Sequence, residues 1–567
     1  MSIHSTSGRA QKPKVVTGLV SLLLLSTSFS LSAGTLPTGS TAAKKAAAQE
    51  IFYRLVFARG DQRLAEPHFV FSRLKDKGAK AVGDVITLEE LAYDVCASLG
   101  EEGDIALAGI LGHELIHYYE KHEWEGGFID LVGKSGSDSD RSLDRSVKED
   151  NFALKKDEIE ADYLGGFLAH LAGYPATNIM PKVLQGIYDA YELPEEMSKY
   201  PPLRERQRIA TETYAKLVRL VDVFEMGNML VALRKYDAAA YYYQYLINDF
   251  QGREVYNNVG VAYTMAALPM FKPESTKYLY PVELDLSSRL ATQTRSVGVD
   301  RETREYYLEE AIWHFRQAGL LDVNYAVGMV NRASAHLLLG QSLDESPKGA
   351  SQEIINDHYL EAGLWARRAI RLAEKLDDAQ AAANGHLVLG ILAHAQGNDT
   401  EVAAAFAKAA ASPLTALNES IRTTGKLPPA KPKPDAFDME ETIDGKSLAQ
   451  IEASLPDWTN SEVISARRPR IKLESVHPAG TSTSLLLHTE GAGRSSLLLY
   501  SADKGYSDAT ALEISLGATQ EEIIEEYDQP DYFVPSAGGL ILVYKESRIL
   551  FVLRGDKLVR WYLFAEE

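Results

Sequence analysis

Residues 106–117 read ALAGILGHELIH, with His113 and His117 four apart and Glu114 beside the first. On an α-helix that spacing is close to one turn, so both imidazoles project from one face. Two neutral histidines so placed could hold a zinc ion, and the adjacent carboxylate could take a proton from water on that ion. The alternative is a core helix whose two histidines are satisfied by hydrogen bonds. The run 105–111 is almost wholly apolar. That suits a buried helix, which would hold ligands rigidly.

A zinc site with two histidines wants a third protein ligand and an open position for water. Residues 156–165, KDEIEADYLG, place Glu158 and Asp162 four apart on an expected second helix. A glutamate on such a helix supplies a third ligand. Asp162, one turn on, could accept the N–H of a ligand histidine and fix its tautomer. Glu160 lies about 200° round the helix from Glu158 and reads as solvated. A solvated acidic face is also the alternative for the whole EIEAD run.

Together these residues carry a resemblance. HELIH followed by Glu158-x-x-Ala161-Asp162 resembles the zinc metallopeptidases of the HtpX, BepA and CAAX prenyl protease type, metallopeptidase family forty-eight, across residues 50–210. The resemblance implies a gluzincin centre with one Zn2+ per chain on His113, His117 and Glu158, and Glu114 as catalytic base. His122, five after His117, fits the family's frequent HExxHxxxxH, whose last histidine is not a ligand. A metzincin would need glycine three after the second histidine and a ligand histidine six after it. Those positions hold Glu120 and Glu123, which rejects that class. Relatives often carry His-Pro with an arginine six after the histidine; here Tyr200-Pro201 and Arg206 stand in those places. Tyr200 could donate a hydrogen bond to an oxyanion, cap the metal, or simply pack before a proline turn. Arg206 could stabilise the oxyanion or tether its loop by a salt bridge.

The elements that must position these groups come next. Residues 41–57 read as a helix opening a peptidase domain at 41–210. Residues 67–72 and 81–87 read as short strands. A small sheet edge beside the zinc helix is where such peptidases commonly align an extended substrate. Residues 125–151, rich in Gly, Ser, Asp and Arg, read as a connection between the two metal helices, with a lid as the alternative. A further helix is expected at 179–191, after the break at Tyr174-Pro175.

From 211 to 412 the chain reads as helical and rich in Ala, Leu and Tyr. Gly227, Ala239 and Tyr243 lie at offsets 0, 12 and 16; Gly390, Phe406 and Ala409 lie at 0, 16 and 19. Tyr256, Val259, Gly260 and Tyr263 follow the tetratricopeptide pattern in weaker form, and Ala311, Phe315 and Ala318 read as the second helix of that repeat. Between them lies a Pro-containing insertion at 268–300. Such a solenoid presents a concave face to protein partners. Residues 423–435 contain Pro428, Pro429, Pro432 and Pro434 and read as a linker. Beyond it, 438–567 reads as an α+β module. Strands are expected at 470–475, 484–488, 495–501, 540–544, 549–553 and 558–564, and a helix at 521–527 capped by Thr519. The last part resembles the BamE/SmpA-like fold of small envelope lipoproteins.

The chain's 567 residues suggest three or four domains at about 150 residues each. A net charge of -20 argues against a nucleic-acid partner. Arg9, Lys12 and Lys14 precede an apolar run at 15–25 and then small residues to Ala33, as in an export signal over 1–33; an uncleaved anchor, with membrane association, is the alternative. No cysteine lies near it, and the only one, Cys96, has no intramolecular partner.

The expected fold is mainly α: a helical zincin-like peptidase domain with a small sheet, a tetratricopeptide solenoid, and a small α+β C-terminal domain. The expected function is an exported zinc endopeptidase in the periplasm or cell envelope, acting on protein or peptide substrates. Envelope assembly proteins would be its partners through the repeats and the C-terminal module. The alternative is a non-hydrolytic repeat scaffold with a latent metal site.

Overall fold

The computed structural model describes residues 35–59, 64–76, 78–120, 146–174, 178–195, 202–249, 252–272, 275–286, 304–345, 350–428, 440–453, 457–466, 469–478, 481–491, 495–503 and 505–566. The expected export signal, the 125–145 part of the interhelical connection, His122, Tyr200 and the stretch 429–439 lie outside them. The protein is mainly helical, with one small sheet near its start and an antiparallel sheet at its C-terminal end. No helix among the described residues is long and apolar enough to cross a membrane.

Helix α1 (Thr41–Arg59) leads into strands β1 (His68–Ser72), β2 (Ala79–Val82) and β3 (Val85–Glu89), then α2 (Glu90–Ala97), α3 (Gly103–Tyr119), α4 (Ser146–Leu171) and α5 (Met180–Ala190). The strand expected at 81–87 is in fact a hairpin. Gly83 has φ +58, a left-handed conformation that lets the chain reverse between β2 and β3. The sheet order is β1-β3-β2, with β1 parallel to β3, so β1 and β2 are its edges. Strand β2 packs against α3. Helix α3 carries apolar residues all round, and nearly its whole length is buried. Its C-terminal end is tied down where Arg59 Nη2 meets Glu120 Oε1 at 2.8 Å, with the guanidinium over the Tyr119 ring.

The helical middle runs α6 (Leu203–Ala232), α7 (Tyr236–Asp249), α8 (Arg253–Ala267), α9 (Arg304–Leu321), α10 (Ala326–Asp344), α11 (Gln352–Leu376), α12 (Ala379–Ala395), α13 (Asp399–Phe406) and α14 (Thr415–Thr424). Successive helices pack as pairs, and each contact repeats one device. A Cβ on Gly227 would sit 2.9 Å from the Tyr243 ring, one on Gly260 2.6 Å from Phe315, and one on Gly390 2.6 Å from Phe406. Each glycine is the hollow that receives the next helix's aromatic ring. The offsets visible in the sequence are therefore helix–helix contacts.

The C-terminal part contains β4 (Thr442–Ile443), β5 (Lys446–Ser447), α15 (Leu448–Ala453), β6 (Asn460–Ser465), β7 (Ile471–Val476), β8 (Thr483–Glu490), β9 (Ser495–Ala502), α16 (Gln520–Tyr527), β10 (Tyr532–Ser536), β11 (Gly539–Tyr544), β12 (Ile549–Arg554) and β13 (Lys557–Glu566). Eight strands form one antiparallel sheet in the order β10-β11-β12-β13-β9-β8-β7-β6. Thr519 caps α16 in a reciprocal capping box with Glu522. Both faces of the sheet are buried. Leu550, Val552, Tyr562 and Phe564 join the core that runs back through the helices to α1. Their neighbours Phe551, Leu553, Trp561 and Leu563 point the other way, onto α15 and α16.

Candidate metal centre

Helices α3 and α4 cross at a point where neither has a side chain. A Cβ on Gly112 would meet the Gly165 carbonyl oxygen at 2.6 Å, and one on Gly165 would meet the His113 amide nitrogen at 2.5 Å. The two backbones thus touch beside His113. This contact sets how near the carboxylates of α4 come to the histidines of α3. The glycines stand in the sequence as the residue before HELIH and the residue three after Asp162. Their meaning appears only when the helices are paired.

At that crossing His113 Nε2 and His117 Nε2 lie 3.0 Å apart, both aimed at one point. Glu158 closes the third corner, with Oε1 3.4 Å from His117 Nε2 and Oε2 3.6 Å from His113 Nε2. The three side chains form a buried group able to hold a metal ion. Asp162 Oδ1 lies 2.8 Å from His113 Nδ1. With Nδ1–H donating to that carboxylate, His113 keeps its Nε2 lone pair for the metal. The alternative of a solvated acidic face does not hold for Glu158 and Asp162: their side chains are only 12% and 15% exposed.

Arg206, on the first turn of α6, is buried, and its Nη2 stands 4.0 Å from Glu158 Oε2. Burial by itself would raise the Glu158 pKa. The hydrogen bond to His117, the charges that His113 and His117 carry when protonated, and the charge of Arg206 outweigh it and hold the carboxyl at about 2. Glu158 is therefore a carboxylate, the form a ligand needs. Glu114 is buried beside His113. The structure thus brings together His113, His117, Glu158, Asp162 and Arg206, with Glu114 buried next to His113 in the chain; Tyr200 lies outside the described residues. Sequence reasoning missed the two crossing glycines, and also Met180, whose sulfur would lie 2.8 Å from a Cβ on Gly109 and so packs α5 against α3.

Comparison with protein-family models and with curated proteins finds no match to this chain.

Proposed function

We propose that the chain is a zinc-dependent endopeptidase. The observation that carries this reading is the convergence of His113 Nε2, His117 Nε2 and Glu158 on one point, with Asp162 behind His113. Zinc–ligand bonds of about 2.0–2.1 Å at tetrahedral angles separate two ligand atoms by roughly 3.3 Å. The nitrogens are 3.0 Å apart, and each faces its own Glu158 oxygen, His117 Nε2 at 3.4 Å from Oε1 and His113 Nε2 at 3.6 Å from Oε2, all near that value. Three protein ligands of mixed nitrogen and oxygen type leave a fourth position open, as catalytic rather than structural zinc requires. Bound zinc would supply Lewis-acid chemistry, polarising a carbonyl and acidifying water.

The chain's own residues do the rest. Glu114 takes a proton from the attacking water as its oxygen bonds to the amide carbon, and gives that proton to the leaving nitrogen as the C–N bond breaks. Asp162 orients His113, and Arg206 sets a positive charge 4.0 Å from Glu158. Strand β2 pairs only with β3 among the described residues and packs on α3, and its other edge would align an extended substrate. The finer reading follows the sequence resemblance. The peptidase region is zincin-like, the helix pairs are tetratricopeptide repeats, and the last strands with α16 are a BamE/SmpA-like unit. Their order supports an exported protease of envelope quality control whose clients are proteins. Metal analysis and digestion of a disordered protein test the core of this. Wild type and Glu114→Gln should each carry one zinc, and the variant should hydrolyse about 10²–10⁴-fold more slowly. A wild type that binds no zinc, or a Glu114→Gln chain as active as wild type, would sink the proposal.

A further inference from the structure

The helical array holds a second constellation, far in sequence from the candidate metal centre. Four buried asparagines reach the backbone of one segment, residues 278–286, YLYPVELDL: Asn257 donates to the Glu283 carbonyl at 3.1 Å, and three others each bond both backbone groups of one residue. Asn258 of α8 accepts from the Asp285 N–H at 2.8 Å and donates to the Asp285 carbonyl at 2.8 Å. Asn331 of α10 does the same to Glu283, at 2.9 and 2.8 Å. Asn418 of α14 does the same to Leu279, at 2.8 and 2.9 Å. Each amide thus reads the N–H and C=O of a single residue, the pattern a neighbouring strand would offer. The residue between the first two is paired on its other side. The Leu284 N–H donates to the Pro535 carbonyl at 3.2 Å, and the Ala537 N–H donates to the Leu284 carbonyl at 2.7 Å. Leu284 therefore lies parallel to the edge strand β10, while Glu283 and Asp285 face the asparagines.

Asparagine is an unfavourable choice inside a helix, and a buried amide must find partners for both its ends. Three helices bear this cost, and each amide gives its oxygen and an N–H to backbone, with Asn258 also donating to Asn228 and Asn331 to Asn257. The carboxylates of the segment are held as well: Asp285 Oδ2 accepts from the Tyr325 hydroxyl at 2.8 Å. Glu283 is buried against two neutral amides, Gln380 and Asn384, and burial pushes its carboxyl up to about 7 despite them.

We infer that Asn258, Asn331 and Asn418 form a strand-receiving site that reads backbone, that residues 278–286 fill it in cis, and that an extended polypeptide able to pair with β10 is the ligand the site takes when the segment withdraws. The inference is independent of the metal centre. It makes this part of the helical array a site for unfolded chain rather than for a folded partner, because Asn258, Asn331 and Asn418 bond only backbone atoms of the segment, while Tyr325 on Asp285 and Gln380 and Asn384 on Glu283 add side-chain contacts.

A labelled peptide of sequence YLYPVELDL is the probe. In the full chain carrying Leu284→Pro, the segment loses the N–H that donates to Pro535, and the site is freed. That variant should bind the peptide, the wild type should bind it at least roughly tenfold more weakly, and adding Asn258→Ala with Asn331→Ala should remove roughly tenfold or more of the variant's affinity. A folded Leu284→Pro chain that ignores the peptide, or binds it equally well without the asparagines, overturns the proposal. Should that variant fail to fold, hydrogen exchange of the unaltered chain decides. The Glu283, Leu284 and Asp285 amides should exchange by local opening, ahead of the α8 and α10 cores. Protection equal to that of global unfolding would show a segment that never leaves.

Discussion

At the scale of single residues, the metal centre is a matter of lone pairs. His113 has two ring nitrogens, and Asp162 decides which of them carries the proton. Asp162→Asn keeps the shape but can present an amide N–H to Nδ1, which favours the wrong tautomer. Zinc affinity should fall by about 10- to 100-fold, read by competition with a chromogenic chelator. His113→Ala, His117→Ala and Glu158→Ala should each lose the metal outright; full zinc occupancy in Glu158→Ala would place the third ligand elsewhere. All four side chains were legible in the sequence, because helical period and residue type are local properties. What could not be read there is that Arg206, some fifty residues on, reaches the same pocket as a buried counter-charge to Glu158. The motif spacing marked Arg206 as a candidate, but a salt bridge to a metal ligand and a bond to an oxyanion look alike until distances are known.

At the scale of elements, the site depends on how closely α3 and α4 approach. Gly165 and Gly166 are neighbours on α4 with opposite expectations. A Cβ on Gly165 would strike the His113 backbone at 2.5 and 2.7 Å, so the helices must part. Gly165→Ala should cost about 1–3 kcal/mol of stability, as overpacking does, and weaken metal binding with it. A Cβ on Gly166 would meet only Leu217 at 3.6 Å, an ordinary contact. Gly166→Ala should be neutral or stabilise by up to about 1 kcal/mol through helix propensity. Thermal melts and zinc titrations of the two variants check both signs; equal effects would mean that the crossing is not tight. The same physics explains what sequence reading recovered in the helical middle. A glycine and an aromatic at a fixed offset report a hollow and the ring that fills it. Among the strands that escaped notice, beside the two-residue β4 and β5, β6 and β10 did so for equally physical reasons. In β6, NSEVIS, apolar content is low, because it is an edge strand. In β10, YFVPS, Pro535 argues against a strand, yet an edge strand tolerates a residue without an N–H.

At the scale of the whole molecule, the proline-rich stretch suggests a boundary, but the sheet beyond it is packed into the helices. The strands read as almost continuous apolar runs because both faces are buried, and such runs do not say what covers each face. Tyr242 of α7 bonds His488 of β8 at 3.0 Å, and Arg560 of β13 pairs with Glu225 of α6. A chain ended at residue 424 would uncover this surface. It should aggregate or unfold without a cooperative transition, as light scattering and denaturant titration would show; an unchanged midpoint would mean that the helices are self-sufficient. The same junction carries a proton-dependent contact. Asp222 of α6 is buried, accepts from Ser475, and lies 2.9 Å from His477 Nε2. Burial lowers the His477 pKa, but the hydrogen bond with Asp222 and the charges of Asp222, Glu225 and Asp503 raise it further, and the net shift is upward from 6.5. Arg560 pairs with both Glu225 and Asp503 and tempers the pull of those two. A histidine whose folded pKa exceeds its unfolded one favours the folded state while protonated. Its contribution is complete below 6.5 and is lost as pH rises through the higher folded value. The imidazole is 38% exposed, so solvent screening keeps the effect small. The stability difference between wild type and His477→Gln should therefore be largest just below pH 6.5 and shrink above it. Denaturant melts across that range measure it, and a difference that grows with pH would show that His477 is neutral in its bond to Asp222.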